Sequence, residues 1–82
     1  MINDNEDYDI YLFDDNENTQ ARVIQTLCDV LDYNLELSMK LINEVELKGK
    51  ALIDIFDKET AIKKRDLLIS FGLNCGICKS RK

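Results

Sequence analysis

A chain of 82 residues with 45% hydrophobic residues is suited to one small domain. It contains no histidine, which excludes the serine and cysteine catalytic triads that need an imidazole, and metal sites with histidine ligands. The net charge is −5, and twelve of the sixteen acidic residues lie within residues 1–46, whereas nine of the eleven basic residues lie within residues 47–82. Because the acidic half would repel phosphates, this division favours charged protein partners over nucleic acid.

The first seven residues are mostly polar or acidic, and we expect a short disordered segment over 1–7. No long apolar run follows Met1, so we expect neither a signal peptide nor a transmembrane helix. The three cysteines are too few for a disulfide framework, which agrees with a reducing compartment. These features predict a cytoplasmic protein that does not bind membranes.

A strand and a helix are the first predicted elements. Alternating residues from Tyr8 to Phe13 predict a strand with one face against helices. An acidic loop, residues 14–19, follows, and either Asn18 or Thr19 can cap the next helix. The apolar stripe of this first helix is Val23, Ile24, Leu27, Val30 and Leu31.

The second helix is predicted to begin after Asn34 as its N-cap and to end at Gly49 in a left-handed conformation. A second strand follows over residues 50–56, with Asp54 on its exposed side. The predicted buried face of the second helix is Leu35, Ser38, Leu41, Ile42 and Val45.

A third helix should begin after the cap Asp57 and close at Gly72, followed by a strand over residues 73–79 and a basic tail, 80–82. Its predicted apolar residues are Ala61, Ile62, Leu68 and Ile69. The order strand, helix, helix, strand, helix, strand predicts one two-layer α+β domain over 8–79. Three amphipathic helices need one apolar surface, so we expect a three-stranded antiparallel sheet covered by helices on one face.

Cys75 and Cys78 form a C-x-x-C pattern, which elsewhere marks a redox pair or half of a zinc site. Here the pattern falls within a predicted strand. Three residues of extended chain place the two sulfur atoms about 10 Å apart on opposite faces. We therefore interpret both cysteines as packing residues.

The loop residues Asp14, Asn16 and Asn18 match the first ligand positions of an EF-hand calcium loop. Thr19 stands where that loop requires glycine, and Gln25 stands where it requires a bidentate glutamate. We expect no metal ion and no cofactor.

Several stretches, in this order along the chain, resemble the ClpS adaptor family of the Clp protease: Tyr8 to Asn16, Val45-Glu46, Gly49-Lys50-Ala51 and Glu59 to Lys64. The resemblance covers residues 8–64 without gaps and continues more loosely to Cys78. It implies an adaptor that binds the N-terminal domain of a Clp AAA+ unfoldase. Such an adaptor presents N-degron substrates, whose N-terminal residue is large and apolar.

The resemblance also implies a set of site residues. By position, the substrate α-amino group would be held by Asp14, Asp15 and Glu46, with Asn18 beside them. Glu46 replaces the family histidine, and Gln20 replaces a methionine at the entrance of the family's pocket. Together these two replacements imply an altered specificity for the substrate. The apolar pocket would consist of Gln20, Val23, Ile42 and Val45, and unfoldase docking would use Glu59 and Lys64.

Two alternatives differ in function class. The C-terminal domain of the ribosomal stalk protein resembles this chain in element order, which would make the chain an interaction domain without N-degron binding. A small enzyme could instead use neighbouring carboxylates such as Asp14 and Asp15 as acid and base. Adjacent residues at a strand end usually diverge, so we expect a binding protein rather than an enzyme.

Overall fold

The computed structural model describes residues 6–14 and 18–80. Six elements follow one another in the predicted order: β1 (Asp7–Phe13), α1 (Gln20–Leu31), α2 (Leu35–Lys48), β2 (Lys50–Asp57), α3 (Lys58–Ser70) and β3 (Cys75–Lys79). β1 is the central strand and pairs antiparallel with β2 on one side and β3 on the other. The predicted α+β class and the antiparallel three-stranded sheet are confirmed.

Each helix begins at a side chain that accepts a hydrogen bond from the first turn. Thr19, not Asn18, caps α1, since its hydroxyl oxygen accepts from the Arg22 N–H at 3.1 Å. Asn34 caps α2 and Asp57 caps α3, as predicted. These caps satisfy backbone donors that a helix N-terminus otherwise leaves without partners, and so they fix where the helices start.

The end of α2 determines how the chain enters β2. Gly49 adopts φ 86°, a left-handed conformation that glycine takes without strain, and its N–H donates to the Val45 carbonyl at 2.7 Å. The predicted C-cap is therefore confirmed. The reversal at Gly49 brings β2 antiparallel to β1 directly after α2.

The core lies between the helices and the helix-facing side of the sheet. Its fully buried members include Ile10 of β1, Leu27 of α1 and Leu68 of α3. The remaining buried apolar residues are Leu12, Val23, Leu41, Ile42, Val45, Ala51, Ile53, Ala61 and Leu73. No helix formed by residues 6–14 or 18–80 is long and apolar enough to cross a membrane.

Two residues predicted to face the core are exposed instead. Leu35 is 58% exposed and Ile69 is 46% exposed. At 100° per residue, Leu35 lies roughly 70° from the centre of the α2 stripe, and Ile69 lies roughly 90° from the line through Ala61 and Leu68. Sequence spacing assigned each residue to the buried stripe of its own helix, but each lies at or beyond the edge of that stripe.

The third strand is shorter than predicted. Residues 73–74 precede it because the Leu73 N–H donates to the Leu68 carbonyl at the end of α3 rather than to β1. Ser80, assigned by prediction to the tail, donates its N–H to the Asp7 carbonyl at 2.9 Å. Within β3, Cys75 pairs with buried Leu12, and Cys78, which is exposed, pairs with Asp9, so the two thiols lie on opposite faces of the sheet.

Both thiols are free, and burial raises the pKa of the Cys75 thiol to about 12. A thiol is a nucleophile or a metal ligand as the thiolate, and this shift keeps Cys75 protonated at neutral pH. The packing interpretation of Cys75 agrees with this environment.

Candidate functional site

A pocket opens at one end of the sheet, where β1 ends, between the first turn of α1 and the last turns of α2. Its volume is about 80 Å³. Because the start of α1 meets the end of α2 there, the two helices run in opposite directions and the pocket lies between them. The lining residues are Leu12, Phe13, Asp14, Asn18, Gln20, Val23, Ile42, Val45, Glu46 and Leu73.

The inner walls of the pocket are part of the hydrophobic core. The wall residues are all at least nine-tenths buried, and they are Leu12, Val23, Ile42, Val45 and Leu73. They come from β1, α1, α2 and the segment before β3, so four separate parts of the fold hold the pocket open. A wall built in this way has little freedom to rearrange, because protein cores are close-packed.

The rim of the pocket is polar. Asp14 is exposed and follows β1 directly, and its backbone N–H donates to the Gly49 carbonyl at 3.0 Å. Asn18 donates from Nδ2 to the Gly72 carbonyl at 2.8 Å, which ties the start of α1 to the end of α3. These two bonds anchor the chain on either side of the acidic loop.

The rim also contains a direct link between the two helices. Gln20, the first residue of α1, donates a hydrogen bond from Nε2 to Oε2 of Glu46 in the last turn of α2. Both side chains are exposed, and both line the pocket. The bond therefore joins α1 to α2 at the rim and positions the Glu46 carboxylate beside the apolar walls.

Helix electrostatics do not explain why a glutamate occupies position 46. The C-terminal end of a helix carries partial negative charge, which disfavours an acidic side chain in the last turn. Lys48 in the same turn has the favourable sign, whereas Glu46 has the opposite sign. A residue that opposes local stability at the edge of a pocket is a candidate for a functional role.

The described residues around the pocket place two carboxylates, Asp14 and Glu46, at the rim and contribute no lysine or arginine. The site therefore favours a cation, and a carboxylate forms strong charge-assisted hydrogen bonds with an ammonium group. Across residues 6–14 and 18–80, no group of three or more Cys, Asp or Glu side chains could hold a metal ion. The arrangement thus combines a negative rim with an apolar interior.

The residues taken from the family resemblance converge on this one pocket. Seven of the eight line it, namely Asp14, Asn18, Gln20, Val23, Ile42, Val45 and Glu46. The eighth, Asp15, lies outside the described residues. Three further lining residues, Leu12, Phe13 and Leu73, were not predicted for the site. Leu12 and Phe13 could have been predicted, because they lie at the end of the first strand, next to the acidic loop. Leu73 was predicted to be part of the third strand, so nothing in the sequence assigned it to the pocket.

The two predicted docking residues lie apart from the pocket, on α3. Glu59 is exposed in the first turn, where an acidic residue suits the helix dipole. Lys64 is half-buried, and its Nζ lies 5.8 Å from the centre of the Phe56 ring. They are five positions apart, which turns them about 140° from each other around the helix. Their side chains therefore point to different sides of α3.

Comparison with known proteins identifies a family and solved structures with a closely similar fold. The family model of the ATP-dependent Clp protease adaptor protein ClpS matches residues 3–76. The structure of Agrobacterium tumefaciens ClpS2 bound to L-phenylalaninamide is similar with a TM-score of 0.88 and 15% sequence identity, covering 93% of this chain and 99% of that one. No curated protein sequence matches the chain.

Proposed function

This chain belongs to the ClpS family, and from that premise we propose that it is an adaptor that delivers N-degron substrates to a Clp AAA+ unfoldase in the cytoplasm. Asp14 and Glu46 would bind the α-amino group of the substrate, and the apolar pocket beside them would take the first side chain. The chain would act by binding, without catalysing a reaction of its own. Family membership favours this reading over a ribosomal-stalk-like domain.

The observation that carries the proposal is the position of two carboxylates at the rim of an apolar pocket. A peptide N-terminus offers a positive ammonium group next to a side chain, and this pocket offers the complementary pair of features in the same order. Asn18 and Gln20 add polar groups at the rim. Asp15 would bind the same α-amino group of the substrate with a further carboxylate.

The ligand of the similar structure is consistent with this chemistry. L-phenylalaninamide has a free α-amino group and an amidated carboxyl group, as the first residue of a peptide does. It is bound by Agrobacterium ClpS2, whose fold this chain shares. We extend recognition of a free α-amino group to this chain, and we expect Glu46 and Gln20 to give its side-chain pocket a specificity of its own.

A peptide that begins with leucine tests the proposal. We expect it to bind with a measurable heat by calorimetry, and we expect N-acetylation of the same peptide to weaken binding by at least about tenfold, because it removes the positive charge. Glu46→Gln and Asp14→Asn each keep the side-chain shape but remove a carboxylate. Each should weaken binding by about ten- to a hundredfold, the range for a hydrogen bond to a charged group.

Glu44→Gln provides the matched control for Glu46→Gln. Glu44 is on the same helix, does not line the pocket, and its carboxylate lies 3.6 Å from Lys48 Nζ. The control removes the same charge from α2 and should leave peptide affinity within about twofold. Equal binding of the free and acetylated peptides would refute the proposed amine site.

Docking on the unfoldase is a separate part of the proposal. We assign it to Glu59 and Lys64 of α3, which lie away from the pocket, so that a substrate and the unfoldase could be bound at once. Charge reversals at rim positions of an interface mainly lower the association rate. Glu59→Lys and Lys64→Glu should therefore weaken binding to the purified unfoldase N-terminal domain, measured by surface plasmon resonance.

Lys63→Glu is the control for this measurement, because Lys63 is exposed on the same helix next to Lys64. It changes the net charge by the same amount as Lys64→Glu. If Lys63→Glu and Lys64→Glu lose affinity equally, general electrostatic attraction rather than Lys64 itself explains that loss. If the wild-type chain does not bind the domain, the adaptor proposal fails.

A further inference from the structure

The pocket has a definite size, and this limits the side chains that it can hold. Its volume is about 80 Å³. A protein cavity that holds one benzene molecule has a volume of about 150 Å³. The space between the pocket walls is therefore roughly half of that volume, enough for about three or four carbon atoms, and a larger group would extend through the open side.

The walls give the pocket little means to expand. Leu12 and Leu73 are each 3% exposed, and Val45 is 7% exposed, so the atoms that would have to move are packed in the core. Enlarging the pocket for an aromatic ring would displace side chains of β1, α1 and α2 together. Close-packed interiors resist such a change, and this makes the size limit a property of the fold.

The rim restricts the same pocket from the solvent side. The hydrogen bond from Gln20 to Glu46 crosses from α1 to α2 at the opening. A side chain that is too large for the interior would have to project between these two helices, where the bonded pair lies. Small aliphatic side chains avoid this clash, because they end within the walls.

We propose that the pocket selects N-terminal residues with short aliphatic side chains, of leucine size or smaller, and rejects aromatic ones, and that the Gln20–Glu46 pair is part of the selection. This inference rests on the proposed function, because it concerns the first residue of the same substrate. The walls set the depth that is available, and the pair closes the side through which an aromatic ring would extend.

A peptide series that differs only in its first residue tests the selection. The series begins with Leu, Val, Phe, Trp or Gly, and an N-acetylated Leu peptide accompanies it. We expect the Leu and Val peptides to bind at least about tenfold more tightly than the Phe and Trp peptides. The Gly peptide measures the contribution of the amine alone.

Gln20→Ala isolates the contribution of the rim pair. The variant removes the hydrogen bond and shortens the side chain, and it should raise the affinity for the Phe peptide relative to the Leu peptide by at least about threefold. Gln25→Ala is the matched control, since Gln25 is an exposed glutamine of the same helix that does not line the pocket. It should leave the Leu to Phe ratio unchanged.

The possible results separate this inference from the proposed function. Phe or Trp binding as tightly as Leu, together with loss of binding on acetylation, would overturn the size limit and leave the amine site intact. An unchanged Leu to Phe ratio in Gln20→Ala would remove the rim pair from the selection. Absence of binding by every peptide with a free N-terminus would refute the proposed function and the selection together.

Discussion

The two ends of the α1–α2 pair differ. At one end, a short turn over residues 32–34 joins the helices, and Tyr33 in this turn is hydrogen-bonded to the sheet. At the other end, the pocket lies between the helices. At the turn end, the Tyr33 hydroxyl donates to the Ile53 carbonyl of β2 at 3.0 Å. At the pocket end, the direct hydrogen bond between the helices is the exposed Gln20–Glu46 pair. One end is thus closed by a half-buried tyrosine that is hydrogen-bonded to the sheet, and the other by two exposed side chains that a ligand can approach.

Because of this difference, substitutions at the walls and at the rim of the pocket should affect stability and binding to different extents. The walls of the pocket belong to the core, so a change there should alter both the folded state and the pocket. The rim is exposed, so a change there should alter binding with little effect on the fold. Three substitutions test this division, beginning with the largest expected loss of stability.

The largest loss is expected at a pocket wall. Ile42 is 8% exposed and belongs to the core cluster, so Ile42→Ala should lower the free energy of unfolding by about 3 kcal/mol through lost burial and a residual cavity. Chemical denaturation, monitored by circular dichroism, would measure the change in the free energy of unfolding. In a domain of this size such a loss is a large part of the total stability.

Leu47→Ala is the control on the same helix, because Leu47 is 84% exposed. It should change the free energy of unfolding by less than about 0.5 kcal/mol. If Ile42→Ala had an equally small effect, the pocket walls would be independent of the core, and the coupling between pocket size and fold would be refuted.

An intermediate loss is expected at the turn end. Burial, the negative charge of Asp54 and the hydrogen bond to Asp54 raise the pKa of Tyr33 to about 12 from the ordinary value of 10.0. Tyr33→Phe removes the hydroxyl and leaves its acceptors without this donor, and it should cost about 1 kcal/mol at neutral pH. The measurement is the difference in unfolding free energy between wild type and variant.

The pH dependence of that difference gives a second test. A raised pKa in the folded state means that folding favours the neutral phenol, so the stabilisation is fully present below pH 10 and declines as pH rises from about 10 towards 12. The gap between wild type and Tyr33→Phe should therefore narrow over this range. A gap that widens as pH rises would contradict the assigned environment of Tyr33.

Much of the fold was accessible from sequence because its signals are local. Caps such as Asn34 and Asp57, and the left-handed Gly49, act within one helical turn of their own position, and all three were predicted correctly. The start of β3 was predicted two residues early. The N–H of Leu73 bonds to α3, and spacing along the chain does not show which partner an amide takes.

The site depended on the family resemblance for a physical reason. Gln20 and Glu46 are far apart in sequence, and their contact depends on how far α1 and α2 are displaced along each other. Composition and periodicity describe each helix separately and say nothing about that displacement. Positional equivalence to a family therefore identified the rim, whereas the hydrogen bond between Gln20 and Glu46 was visible only in the folded chain.

The smallest loss of stability is expected at the rim. Gln20→Ala removes one exposed hydrogen bond and places a strong helix former in the first turn of α1, so the free energy of unfolding should change by less than about 0.5 kcal/mol. A double-mutant cycle with Glu46→Ala, measured by chemical denaturation, would give the coupling between the two side chains, which we expect below about 1 kcal/mol. A coupling above about 2 kcal/mol would mean that the pair holds the helices together as Tyr33 does. Both ends of the α1–α2 pair would then contribute to stability, and a substitution at the rim that altered substrate specificity would also destabilise the fold.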